Sequence, residues 1–126
     1  MSVKVTKFNE FLTANNINCF QAQAIENEMH SVLYRSFMEV NGQNLPTMVV
    51  VDDSIYVMVQ VRVAAAVVKE ANRTAIMEHI NKLNDTYKVF KYYVNENGDI
   101  VIESCIPSTD EEFVPGLVHA VIDVIL

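Results

Sequence analysis

The chain has 126 residues, 51% of them hydrophobic, and a formal net charge of −7, which suits one α+β-sized domain with a sizeable core of its own. The acidity, without any cluster of Lys or Arg, argues against nucleic acid and anionic membranes as partners, since both require concentrated positive charge. No run reaches the roughly 18 apolar residues of a membrane span, and Met1 to Lys7 is too polar for a signal peptide, so a soluble cytoplasmic protein is expected.

A first helix is predicted from a cap at Ser2 to about Ala14, with Val5, Phe8, Phe11 and Leu12 on one face and Lys4, Lys7 and Glu10 elsewhere. Asn15 and Asn16 end it. Between Ile17 and Met29 the pattern stays open: Phe20, Ala22 and Ala24 alternate as in a strand, Ile25 and Glu26 break the alternation, and a short helix fits the composition equally. Strand character returns from about His30 to Val40, and Asn41-Gly42 supplies the positive φ angles of a tight hairpin. A partner strand is predicted from about Leu45 to Val51, with Pro46 suited to its start or to an edge. Asp52-Asp53 makes the next reversal, because Asp is a turn residue whose side chain bonds nearby backbone.

From Ser54 to Ala64 the alternation is strict. Ile55, Val57, Val59, Val61 and Val63 point one way, and Tyr56, Met58, Gln60 and Arg62 the other, a period of two that fixes a strand. Its aliphatic face requires a helix layer. The segment from Asn72 to Tyr87 then carries Ile76, Ile80, Leu83 and Tyr87 at helical spacing, a stripe expected to cover the sheet, with Glu78 and Lys82 on the wet side. Asn84 borders that stripe and is expected to hydrogen-bond a neighbouring loop or strand end.

Two strands, about Val89 to Asn95 and Asp99 to Ile106, flank the hairpin signal Glu96-Asn97-Gly98. Pro107 stops the second. Ser108 or Thr109 can cap a helix starting there, with Glu111 or Glu112 as capping-box partner, or else Pro115 marks the first turn of a helix beginning near Val114 after a short turn. From Val114 to Leu126 roughly two thirds of that helix surface is apolar, judged at 3.6 residues per turn. Such a helix is either wedged between two layers or paired with a second chain. The order helix, three-stranded meander, helix, hairpin, helix defines an α+β fold, α-β-β-β-α-β-β-α, with a mainly antiparallel twisted sheet.

Several of these stretches also carry a resemblance. Leu45-Pro46 leading into an aliphatic strand and Asp52-Asp53, Ile80-Asn81-Lys82-Leu83-Asn84 in the central helix, and the Tyr-rich hairpin at Asn97-Gly98-Asp99 resemble the YbjN-like family of bacterial proteins. That family's fold looks like the chaperones of bacterial type III secretion. The resemblance spans nearly the whole chain and implies a small, acidic, dimeric binding protein; no functional residue is carried over by it.

The chemistry-bearing residues form no catalytic constellation. His30, His79 and His119 lack metal-ligand spacing, His119 and Asp123 read as a surface i, i+4 pair, and Cys19 and Cys105 read as small buried side chains in a reducing compartment. Three glycines, Gly42, Gly98 and Gly116, cannot build a phosphate-binding loop, and no serine sits in a hydrolase elbow. No catalytic residue, metal or cofactor is expected.

Two surfaces exceed what a monomer core needs. One is the strand face Tyr56, Met58, Gln60 and Arg62, whose aromatic, Met and Arg content matches interface cores; the other is the last helix, with Leu117, Val121 and Val124. The function expected is a non-enzymatic protein-binding or chaperone-like module, a homodimer binding itself or a protein partner through one of these surfaces. The rival is a small-ligand-binding or enzymatic domain with a pocket between sheet and helices, where His79, Asn84 or a Tyr meets other ionisable groups. A third is a purely structural dimer regulating a larger assembly.

Overall fold

The structure, a computed structural model that describes residues 3–125, turns the strand alternation into one antiparallel sheet. Its elements are helix α1 (Val3–Ala14), strands β1 (Gln21–Ala24), β2 (Val32–Val40), β3 (Gln43–Val51) and β4 (Tyr56–Ala64), helix α2 (Arg73–Thr86), strands β5 (Lys91–Val94) and β6 (Ile100–Pro107), and helix α3 (Pro115–Ile125). The strands take the order β1-β2-β3-β4-β6-β5. The α+β class and both hairpins are as expected. Asn41 and Gly42 adopt φ of 51° and 78°, and Gly98 adopts 77°. The cap at Ser2 lies outside the described residues.

The open stretch between Ile17 and Met29 contributes the added strand, β1. It pairs with β2 from Gln21 opposite Arg35 to Ala24 opposite Val32. It ends where the alternation fails, and Ile25 N–H closes the next loop on Ser31 O at 2.8 Å. Pairing with a strand some ten residues later decides its conformation, which local periodicity cannot.

Period two gives the sheet an inner face of Tyr34, Val49, Val51, Val57, Val59 and Ile106, packed against Val5 and Phe8 of α1 and Val118 and Val121 of α3. Ile122 and Ile125 of α3 carry the same layer to a second cluster around Met38, Val61, Phe90 and Ile102. α3 thus buries Val118 and Val121, and packs Ile122 and Ile125, within the chain rather than between two layers. It lies on the sheet beside α1, leaving Leu117 half exposed.

The central helix departs from expectation. Its stripe does not cover the sheet, because α1 and α3 already occupy the inner face; among its described residues only Ile80 is buried. It packs along the outer edge of the sheet instead, where Tyr87 stacks on Phe90 with ring centroids 5.3 Å apart. Asn84 does bond a strand, as expected: its side chain accepts from Tyr92 N–H and donates to Tyr92 O.

Lys4, placed by sequence away from the apolar face, is fully buried. Its ammonium donates to three main-chain carbonyls, Ser54 O at 2.6 Å, Tyr56 O at 3.0 Å and Ser108 O at 3.1 Å, tying α1 to the start of β4 and the end of β6. A buried charge is tolerated where each proton finds an acceptor. Desolvation still holds its pKa below the ordinary 10.5, with Asp52, Asp110 and Asp53 opposing that shift.

Candidate functional site

The same period of two that fills the inner face builds a different outer face. Register places Gln21, Arg35, Met48, Gln60, Glu103 and Lys91 side by side in one row across all six strands. In the adjoining positions Phe37 stands opposite Pro46, and Arg62 opposite Val101. The packed clusters and the helices that join them lie on the other side. Phe37 is consequently 69% exposed and Tyr56 48%.

Part of this face is concave. A groove of about 730 Å³ runs from Gln21 on β1 to Asn95, Asn97 and Asp99 in the β5–β6 hairpin. Phe37, Pro46, Met48 and Val101 supply its apolar lining, and Arg35, Gln60 and Arg62 its polar groups. Its far end is fixed by the hairpin. The Asn95 side-chain oxygen accepts from the N–H groups of Asn97 and Asp99, both at 3.0 Å, while its nitrogen donates to the Asp99 carboxylate at 3.0 Å. That bond, then the one from Ala66 N–H, holds the Asp99 pKa below its ordinary value, with Arg62 acting in the same direction.

Beside the groove, Gln60 donates to the Tyr93 hydroxyl at 3.0 Å, and Tyr93 donates to Glu103 at 2.7 Å. Burial first, and then the bond to Glu103, push the Tyr93 phenol up. The proton therefore stays on Tyr93. This relay positions Gln60 and occupies Glu103, so the neighbouring Glu103 carboxylate already has a donor.

Tyr56, Met58, Gln60 and Arg62 share the outer face as the alternation requires, but the groove takes only the last two. Met58 lies beyond it, between Val50 and Cys105, and Tyr56 at the strand end opposite Pro107. On α3, Leu117 is 50% exposed, whereas Val121 is 7% exposed and belongs to the core. Val121 is therefore corrected from a contact residue to a packing residue: on a helix apolar nearly all round, sequence cannot tell which side meets the sheet. The side chain of Val124 lies outside the described residues. Sequence reasoning misses Arg35, Phe37 and Met48, although the Asn41-Gly42 hairpin fixes the register that puts them beside Gln60 and Arg62.

A smaller cavity of about 330 Å³ lies where α2 meets β5 and β6, lined by Asn84, Lys88, Lys91, Glu103 and Cys105 among others. Both cysteines are exposed, not buried as expected. Partial burial and Glu103 push the Cys105 thiol up, the reverse of what a nucleophilic thiolate needs. His30 pairs with Asp53 at 2.6 Å and His119 with Asp123 at 3.6 Å, both on the surface. Among the described residues no three His, Cys, Asp or Glu side chains converge as a metal site, and no helix is long and apolar enough to cross a membrane.

A family model, YbjN, described as "putative bacterial sensory transduction regulator", matches residues 35–125. No curated protein and no solved structure matches the chain. The matched span runs from β2 into α3 and includes most of the groove. The chain belongs to the YbjN family.

Proposed function

We propose that this YbjN-family chain is a non-enzymatic protein-binding or chaperone-like module, a single domain that works as a homodimer in the cytoplasm and acts by holding a protein partner. One observation carries the reading: the inner face of the sheet is sealed by α1 and α3, while the outer face keeps Phe37, Tyr56 and Arg62 exposed beside half-buried Met48, Met58 and Gln60. Aromatic, Met and Arg side chains gathered on one surface are the composition of interface centres. Large apolar side chains exposed together beside such polar groups mark an interaction site more often than a passive exterior.

Membership of a regulator family supports the same reading, since a regulator can act through binding alone. Self-association has a separate support at the start of α3, where Val114, just before it, and Leu117 are 58% and 50% exposed.

Affinity capture from a bacterial lysate, with wild type and a Met58→Asp, Arg62→Glu double variant of equal thermal stability, tests the surface. Loss of partner recovery in the variant is expected; equal recovery removes the outer face from the function. Sedimentation of wild type and Leu117→Asp at micromolar concentration tests the dimer separately, and a monomeric wild type would end that part of the proposal.

A further inference from the structure

We propose that the outer-face groove docks an extended acidic segment of a partner protein, with carboxylates on Arg35 and Arg62 and apolar side chains on Phe37 and Met48. The proposal rests on the protein-binding reading above and adds the chemistry of what is bound.

Charge selects the ligand. The chain carries 9 Lys and Arg against 16 Asp and Glu, yet the groove is lined by two arginines and one carboxylate, Asp99. Asp99 is already held by Asn95 and by Ala66 N–H at 2.7 Å, and Glu103, next to Gln60 in its row, accepts from Tyr93. Among the described residues neither Arg35 nor Arg62 has a carboxylate within salt-bridge distance, though Arg62 acts on Asp99 from farther off. Among the described residues the Arg35 side chain bonds Gln23, at a long 3.5 Å. Two guanidinium groups beside apolar surface can offer a carboxylate paired, charge-assisted hydrogen bonds.

Dimensions select a segment over a small acid. From β1 to β6 the groove crosses four strand spacings, about 19 Å, enough for about six residues of extended chain. Arg35 and Arg62 are two strands and two residues apart, on the order of 12 Å. At that backbone separation a small dicarboxylate spans both only with the two side chains folded toward each other. Two acidic residues about four positions apart on an extended chain match that separation, and the side chain midway between them, on the same face, falls over Phe37, Pro46 and Met48.

Fluorescence anisotropy with two fluorescein-labelled, end-capped peptides of about eight residues provides the test. One carries Asp or Glu four positions apart with Leu or Phe midway between them, on the same face of an extended chain, and Ser at the alternate positions; the other replaces each acid by its amide. The acidic peptide is expected to bind about tenfold more tightly, the scale of one close charge pair, although the protein's net charge of −7 works against it. Arg35→Glu with Arg62→Glu should erase the preference, Phe37→Ser should weaken both peptides, and glutarate in excess should not displace the acidic one. Equal binding of the two peptides, an acidic preference that survives the arginine reversal, or displacement by glutarate overturns the proposal. Capture from lysate that is lost in a single Met58→Asp variant while the acidic preference is absent would leave the protein-binding reading standing and remove this one alone. The peptide comparison needs no variant, so a variant that misfolds cannot mask the result.

Discussion

The Asn84 carboxamide meets the main chain of Tyr92 as a neighbouring strand would: its oxygen accepts from Tyr92 N–H at 2.7 Å and its nitrogen donates to Tyr92 O at 3.1 Å. β5 is an edge strand, and an edge with free donors and acceptors invites pairing with other chains. Asn84 blocks that edge and at the same time fastens α2 to the sheet. Asn84→Leu raises helix propensity by a few tenths of a kcal/mol but removes both bonds, so a net loss of about 1 kcal/mol is expected. Asn84→Asp keeps the acceptor alone and should fall between. Urea midpoints for the three proteins check this order, and an unchanged Asn84→Leu would show that α2 is held by other contacts.

Lys4→Met should be among the more damaging single changes on α1. It retains most of the side-chain volume but leaves the carbonyls of Ser54, Tyr56 and Ser108 without their donor, at a cost of about 3 kcal/mol. The pH effect has a definite sign. Because the folded-state pKa lies below the ordinary 10.5, the unfolded chain holds this proton more tightly. The cost of burying the charge is present below the folded pKa and is relieved as pH rises through it toward 10.5. Wild type minus Lys4→Met stability, followed by urea unfolding from pH 8 upward, should show that rising contribution.

Gly42 and Gly98 have nearly the same backbone, φ of 78° and 77°, but different surroundings. A Cβ at Gly42 meets open space, so Gly42→Ala should cost only the left-handed conformation, about 1 to 2 kcal/mol. At Gly98 the added carbon would lie 2.7 Å from Val68 O, and Gly98 O accepts from Val68 N–H at 3.0 Å. The link from β4 into α2 is pressed against this turn. Gly98→Ala should therefore destabilise clearly more than Gly42→Ala, and thermal melts showing equal losses would contradict the close approach.

Legibility in the sequence tracks the range of the interaction. Asn41-Gly42, Asn97-Gly98 and the alternation through Val57, Val59 and Val61 encode their structure within a few residues, and each forms the turn or strand its pattern predicts. β1 depends on pairing with Val32 to Arg35, so four residues of Gln and Ala cannot declare it. The stripe of α2 announces an apolar side without naming its neighbour, and two other helices hold the sheet. Lys4 reads as surface because a charge on a helix usually is; only the carbonyls converging from three other positions explain its burial. The outer face is half legible. Gln60 and Arg62 come from one strand's own alternation, whereas Arg35, Phe37 and Met48 need two strands placed in register.

Tyr34 provides the pH test of the core. Its hydroxyl donates to the Asn9 side chain at 2.6 Å, and its ring meets Phe8 edge-on with centroids 4.7 Å apart. Burial pushes the phenol up from 10.0 to about 12. A folded pKa above the unfolded one means that the native state holds this proton longer, so the stability it contributes is whole below pH 10 and is lost as pH rises from 10 through about 12. Tyr34→Phe keeps the ring and loses the hydrogen bond, at about 1 kcal/mol. The wild-type advantage over Tyr34→Phe should be constant below pH 10 and shrink above it, while the Lys4 contribution, common to both proteins, cancels. Urea midpoints at rising pH, together with phenolate absorbance, measure this directly. An advantage that stays level to pH 11.5, or a Tyr34 phenol that ionises with the exposed tyrosines, would place its hydroxyl in water and contradict its burial beneath α1.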